Sequence, residues 1–213
     1  SLETNVAIGD TGMFLTDSGG NYLTGTTDIT RTIFQGEPSK QQITDYTLVL
    51  KGHIAVATTL FPKGTRGFQV DTLSRQYLWK QGMDFGHGTG HGVGFFLCVH
   101  EGPARISPHP VDVKLEKGML LTNEPGLYRE GAYGIRLENM ILVDQAFENE
   151  FGIFMKFETL TNCHFESNLI DPNLLSKDEK DWINTYHAKV YEKLSPNLDK
   201  DVASWLKEKT RLI

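Results

Sequence analysis

Phe85-Gly86-His87-Gly88-Thr89-Gly90-His91-Gly92-Val93-Gly94 is the stretch on which the fold turns. Its histidines stand at i and i+4, the spacing of a helical metal-binding pair. Glycine, however, fills positions 86, 88, 90, 92 and 94, and each glycine inside a helix costs about 1 kcal/mol relative to alanine. The chain is therefore read as extended. With a period of two, His87, Thr89, His91 and Val93 share one face, and the bare glycine face admits a second backbone or a ligand. A histidine is commonly just a hydrogen-bonded core residue, but two in so much glycine can equally be ligands. His100, in Val99-His100-Glu101-Gly102-Pro103, follows closely.

Upstream, Met13-Phe14-Leu15 reads as a strand running into a turn at Asp17-Ser18-Gly19-Gly20, and the β-branched run Thr26 to Ile33 reads as its antiparallel partner. Pro38-Ser39 opens a helix whose Ile43, Tyr46, Leu50, Ile54 and Ala57 recur at helical spacing, until Pro62-Lys63-Gly64-Thr65 breaks it. A second helix carries Val70, Leu73 and Tyr77 and ends near Gly82. Residues 85–143 return to strand character, and from Ser176 two helices follow, one presenting Trp182, Ile183, Tyr186 and Val190, the other spanning Asp199 to Arg211. The pattern is α+β, in one main domain with a helical C-terminal appendage.

The chain has 213 residues, 39% hydrophobic and 23% charged, as expected of a soluble globular protein long enough to bury a core. Its net charge of -6 argues against a nucleic-acid surface. No apolar run approaches the roughly 18 residues of a membrane helix, and no leader is visible at Ser1. Cys98 and Cys163 are too few for a disulfide framework and read as buried small hydrophobes in a reducing compartment, hence a cytoplasmic location.

Four carboxylates invite a chemical reading. Asp17 and Asp28, separated by a glycine-rich turn, are either turn residues that hydrogen-bond the local backbone or a pair brought to one end of a hairpin. Such a pair repels unless a cation or a proton intervenes. Glu124, in Thr122-Asn123-Glu124-Pro125-Gly126, ends an apolar strand and is either a solvated edge residue or a ligand. Glu138, in Gly134-Ile135-Arg136-Leu137-Glu138-Asn139, lies inside an apolar stretch, where a carboxylate is either bound to metal or paired, for instance with Arg136.

These segments, in this order, with Gly-Thr-Gly-His-Gly-Val-Gly and His-Glu-Gly-Pro between them, resemble the pita-bread metallopeptidases, and most closely the Xaa-Pro aminopeptidases. The resemblance covers nearly the whole chain. It implies the pita-bread (creatinase/aminopeptidase-like) fold, with a catalytic domain over 1–160 and a C-terminal extension over 161–213. It further implies that Asp17 chelates one metal, that Asp28 and Glu138 bridge two, and that His91 and Glu124 complete the second. His87 and His100 would hold the scissile carbonyl, Glu124 would shuttle a proton, and Arg136 would orient carboxylates or substrate. One imidazole among oxygen donors suits a hard ion such as Mn²⁺, with Zn²⁺ or Co²⁺ as alternatives.

The activity implied is removal of an N-terminal residue ahead of proline. The runners-up are an Xaa-Pro dipeptidase (prolidase) and a non-catalytic peptide-binding module. Phe95 and Phe96 are candidate walls for the proline ring, and Trp182, Tyr186 and Trp205 are candidates for a homodimer contact. The family carries a further active-site histidine that would fall before Ser1. This chain is therefore expected to bind metal but to hydrolyse Xaa-Pro peptides slowly or not at all.

Overall fold

The computed structural model describes residue 5 and residues 7–213. The expectation drawn at Ser1 lies outside the described residues.

The chain begins with a long hairpin, β1 (Gly12–Tyr22) against β2 (Gly25–Gln35), in a register that sets Asp17 opposite Thr30 and Gly19 opposite Asp28. The turn falls at Leu23-Thr24, and Asp17-Ser18-Gly19-Gly20 is strand, contrary to the sequence reading. The physical reason is close packing. A Cβ on Gly19 would come within 2.5 Å of the Thr27 carbonyl oxygen, so this glycine admits a neighbouring backbone rather than bending its own.

Helix α1 (Lys40–Ala57) starts at Ser39, whose hydroxyl accepts from Gln42 N while the Gln42 side chain accepts from Ser39 N. This reciprocal cap satisfies two backbone donors and contributes about 1 kcal/mol. Strand β3 (Leu60–Pro62) and the Gly64 turn at φ 98° lead into α2 (Gly67–Trp79). Helix α3 (Lys177–Leu194) repeats the cap with Ser176 and Glu179, and α4 (Lys200–Lys209) closes the chain.

Between the helix pairs lie β4 (Gly90–His91), β5 (Arg105–Ile106), β6 (Leu120–Asn123), β7 (Gly126–Arg129), β8 (Tyr133–Arg136), β9 (Asn139–Asn149) and β10 (Gly152–Thr159). Strands β3, β10, β9 and β6 form one antiparallel sheet in that order, while β4 pairs with β5 and β7 with β8. The α+β expectation holds. The glycine face behaves as its spacing predicts: a Cβ on Gly90 would meet Thr122 O at 1.9 Å, and one on Gly92 would meet Glu101 O at 2.1 Å. Two backbones thus press on the strand that presents His91.

One core joins Tyr46, Leu50 and Ile54 of α1 to Ile135 and Leu137, Phe165, and Ile183, Tyr186 and Val190 of α3. A second joins Val56, Phe61, Val70 and Ile106 to Leu121, Ile141 and Phe157. Each fully buried aliphatic side chain contributes about 1.5–3 kcal/mol by leaving water. Because Tyr186 is spent on the interior, of the proposed contact residues it is Trp205 that stands out at the surface, and Trp182 packs partly buried on the core. Cys98 is exposed and Cys163 half-buried, because both lie in irregular segments outside either core. Phe95 and Phe96 are also exposed. Among the described residues no helix is long and apolar enough to cross a membrane.

Candidate metal centre

A cavity of about 300 Å³ opens between the β1–β2 hairpin, β4 and the end of β6. Asp17, Asp28, His91, Glu124 and Glu138 all line it, together with Val99 and His100. The hairpin register explains the first pair: residues opposite Thr30 and Gly19 fall on one face, so Asp17 and Asp28 are diagonal neighbours. Asp28 is buried and Asp17 exposed at the rim. Glu124 follows directly on β6, and its backbone N–H donates to Thr89 O at 2.7 Å.

Glu138 is placed differently from the sequence reading. It lies in the gap between β8 and β9 rather than inside a strand, yet it is 2% exposed. Arg136 does not pair with it. The Arg136 guanidinium donates to Asp17 Oδ2 at 2.5 Å, to the Tyr128 hydroxyl at 3.0 Å and to Thr30 Oγ1 at 3.3 Å, and it stands 3.8 Å from Glu124. Glu138 instead accepts from the Thr30 hydroxyl at 2.7 Å.

Asp28, His91 and Glu138 each offer a ligand atom, and these atoms lie within 4.8 Å of one another. His91 Nδ1 lies 2.9 Å from the Gly92 carbonyl oxygen, which fixes the proton there and turns Nε2 toward Asp28 and Glu124, each at 3.4 Å. Burial and then the neighbouring Glu124 charge push Glu138 up to about 8. Burial likewise lifts Glu124 to about 7, against the pull of His91. His91 itself rises to about 8, because hydrogen bonding to Asp28 and the surrounding carboxylates outweigh its burial. Carboxylates that hold their protons this tightly are gathered without enough positive charge. The donor set therefore fits divalent cations, which would supply that charge.

The outer histidines divide. The His100 ring stands 4.2 Å from that of His91 and lines the cavity. His87 stands beside the cavity rather than in its lining. Its Nδ1 donates to Gly88 O at 2.7 Å, and its Nε2 accepts from the Tyr128 hydroxyl at 2.8 Å. Burial holds its pKa below the ordinary value. Thr89 leaves the histidines altogether, its hydroxyl bonding Asp71 and Ser74 of α2. Phe95 and Phe96 do not line the cavity. Sequence reasoning missed Thr30 and Tyr128. Thr30 carried a signal, since it stands two residues after Asp28 on the same strand face; Tyr128 carried none.

Comparison with known proteins accords with this geometry. Residues 3–145 match metallopeptidase family M24, and residues 153–213 match the C-terminal region of peptidase M24. A probable Xaa-Pro aminopeptidase P of Arthroderma gypseum is 49% identical over 208 residues, covering 94% of this chain and 33% of that protein. Aminopeptidase P1 of Arabidopsis thaliana is 47% identical over 204 residues, covering 93% and 32%. The chain thus spans about a third of the length of the curated relatives it matches. The crystal structure of X-prolyl aminopeptidase from Caenorhabditis elegans, described as a cytosolic enzyme with a di-nuclear active site, superposes with a TM-score of 0.89 at 44% identity, over 94% of this chain and 34% of that one. A prolidase from Pyrococcus furiosus gives 0.58 at 30% identity, over 69% and 40%. The fold is the pita-bread arrangement of these enzymes. On the match over residues 3–145, the chain belongs to metallopeptidase family M24.

Proposed function

We propose that the chain is the catalytic unit of a cytoplasmic aminopeptidase that hydrolyses the bond between an N-terminal residue and a following proline, using two divalent ions held by Asp17, Asp28, His91, Glu124 and Glu138. The observation that carries the reading is the convergence of four carboxylates and one imidazole on a single cavity, two of the acids pushed up to about 7 and 8 by burial. Asp28, His91 and Glu138, whose ligand atoms lie within 4.8 Å of one another, would hold the ions together with Asp17 and Glu124 on the same cavity wall. Bound cations supply charge neutralisation, a nucleophilic water at neutral pH and polarisation of the scissile carbonyl. Mn²⁺ suits the oxygen-rich donor set best.

The side chains divide the remaining work. Glu124, on the cavity wall at the end of β6, takes a proton from the attacking water and passes it to the departing proline nitrogen. His100, on the cavity wall, donates to the developing oxyanion, and His87 holds the substrate from beside it. Arg136, bonded to Asp17 and Tyr128, keeps the rim carboxylate and the Tyr128–His87 pair in register. A leaving proline nitrogen has no hydrogen, so a site that grips the ring by apolar contact alone accepts it.

Residues 161–213 continue the catalytic unit of 1–160, and the exposed Trp205 face contributes to a homodimer. An aminopeptidase is preferred over a dipeptidase because likeness to the worm enzyme covers more of the chain, at higher identity, than likeness to the archaeal prolidase. The test is manganese stoichiometry by mass spectrometry, followed by release of arginine from Arg-Pro-Pro, Arg-Pro and Arg-Ala-Ala. Two ions per chain and cleavage of Arg-Pro-Pro alone are expected. Failure to retain manganese sinks the metallopeptidase reading, and equal cleavage of Arg-Ala-Ala sinks the proline preference.

A further inference from the structure

Glu138 stands where the sheet is interrupted, between the end of β8 at Arg136 and the start of β9 at Asn139. No strand ladder runs through it; its backbone is held by Glu138 N–H donating to Thr30 O at 3.0 Å and Leu137 N–H donating to Pro125 O at 3.2 Å, and by side chains that take the carbonyl oxygens. His53 of α1 donates from Nδ1 to Leu137 O at 3.1 Å. Arg31 of β2 donates from Nη1 to Glu138 O at 2.6 Å. The Asn139 amide closes the set, giving Nδ2–H to His53 Nε2 at 3.2 Å while Oδ1 accepts from Arg31 Nη2 at 2.7 Å. His53 and Asn139 are wholly buried and Arg31 is 6% exposed.

Arg31 is the unusual member. Among the described residues it takes part in no ion pair, although a buried guanidinium ordinarily has a carboxylate partner. Its donors are satisfied by oxygen dipoles: Thr30 O at 2.9 Å, Cys163 O at 2.7 Å, His164 O at 2.9 Å and the Tyr186 hydroxyl at 3.2 Å, besides Glu138 O and Asn139 Oδ1. The Phe165 ring covers its face at 4.3 Å. Four of these partners, Cys163, His164, Phe165 and Tyr186, come from the C-terminal part of the chain. A cation without a salt bridge is costly to bury, and a hydrophobic core alone does not require one.

We propose that Arg31 is a positioning residue for the Glu138 carboxylate, and that through it, with His53 and Asn139, the segment 161–186 sets the affinity of the metal cage. This rests on the metallopeptidase reading. The network braces Glu138 on both sides: Arg31 takes its carbonyl oxygen and His53 that of Leu137, while Thr30 holds its backbone N–H through the carbonyl and one carboxylate oxygen through the hydroxyl. Loss of such a support behind a ligand typically weakens metal binding roughly 10- to 100-fold.

The experiment measures Mn²⁺ affinity by calorimetric titration, with thermal melting of the chelator-treated protein alongside. The variants are Arg31→Lys, His53→Phe, Tyr186→Phe and, as a control for destabilisation alone, Val190→Ala in the same core. Arg31→Lys and His53→Phe are expected to weaken binding of at least one ion roughly tenfold or more, and Tyr186→Phe by less. Val190→Ala should melt lower and bind normally. Should Arg31→Lys fail to fold, His53→Phe and Tyr186→Phe decide. Unchanged affinity in every folded network variant, or an equal loss in Val190→Ala, overturns the proposal. Absence of manganese binding in the unsubstituted chain would instead overturn the metallopeptidase reading beneath it.

Discussion

Arg136 donates to the Asp17 carboxylate at 2.5 Å, so that a residue of β8 holds the one acid of the cage that lies at its exposed rim. The Asp17 side chain is 47% exposed, and water screens such a pair to about 1 kcal/mol or less. Its value is geometric, since the same guanidinium reaches the Tyr128 hydroxyl and Thr30. Arg136→Met should therefore melt within a few degrees of the parent while its kcat/KM on Arg-Pro-Pro falls tenfold or more, a loss on the order of 1.4 kcal/mol in transition-state stabilisation. A melting loss as large as the catalytic loss would show that Arg136 is simply part of the scaffold.

Burial and the Glu124 charge raise Glu138 to about 8, and burial raises Glu124 to about 7, both above their unfolded values; His91 is raised to about 8. A group whose folded pKa is raised contributes stability below its unfolded pKa and loses it as pH climbs through the folded one. All three losses overlap between pH 6.5 and about 7, and those of Glu138 and His91 continue to about 8. Below that window His53, His164 and His187, which burial holds to about 3, 4 and 4, pull the other way. Chelator-treated protein should thus melt at a falling temperature from pH 6.5 to 8, and saturating Mn²⁺ should remove the fall. Differential scanning calorimetry at closely spaced pH values reads both slopes; a rising melting temperature across that window contradicts the assignment.

Glu138→Gln preserves the shape and an acceptor for the Thr30 hydroxyl while removing a buried charge. At pH 8 and above, the chelator-treated variant should melt higher than its parent, yet bind Mn²⁺ at least tenfold more weakly, because the anionic oxygens that the proposed site offers an ion are gone. Stability and affinity moving in the same direction would count against a ligand role.

Gly90→Ala tests whether backbone approach positions His91. Its Cβ would stand 1.9 Å from Thr122 O, forcing β4 away from β6 and costing roughly 3 kcal/mol in denaturant titration. Gly86→Ala, with open space at its Cβ, is the matched control and should change stability by about 1 kcal/mol or less. Similar behaviour of the two variants would remove the steric argument.

Much of this molecule was legible in its residues. Helical spacing and the Ser39/Gln42 and Ser176/Glu179 caps announce α1 and α3, because such signals act within one or two turns of chain. The alternating glycines of 86–94 forbid a helix, and the bare face they leave is where β6 and Glu101 approach. Local rules failed where a residue serves a distant partner. Asp17-Ser18-Gly19-Gly20 has the composition of a turn, but Gly19 is small to admit the Thr27 carbonyl across the hairpin.

The sequence by itself determined the element types and supplied a set of acids and histidines rich enough for a metal site. Only the tertiary structure decided who stands beside whom: Arg136 with Asp17 instead of Glu138, His87 with Tyr128 outside the cavity lining, and Arg31 with the carbonyl oxygens of Glu138 and Cys163, more than a hundred residues away. Side-chain partnership across a hundred residues is set by register, sheet order and packing together, and no short window of sequence encodes those.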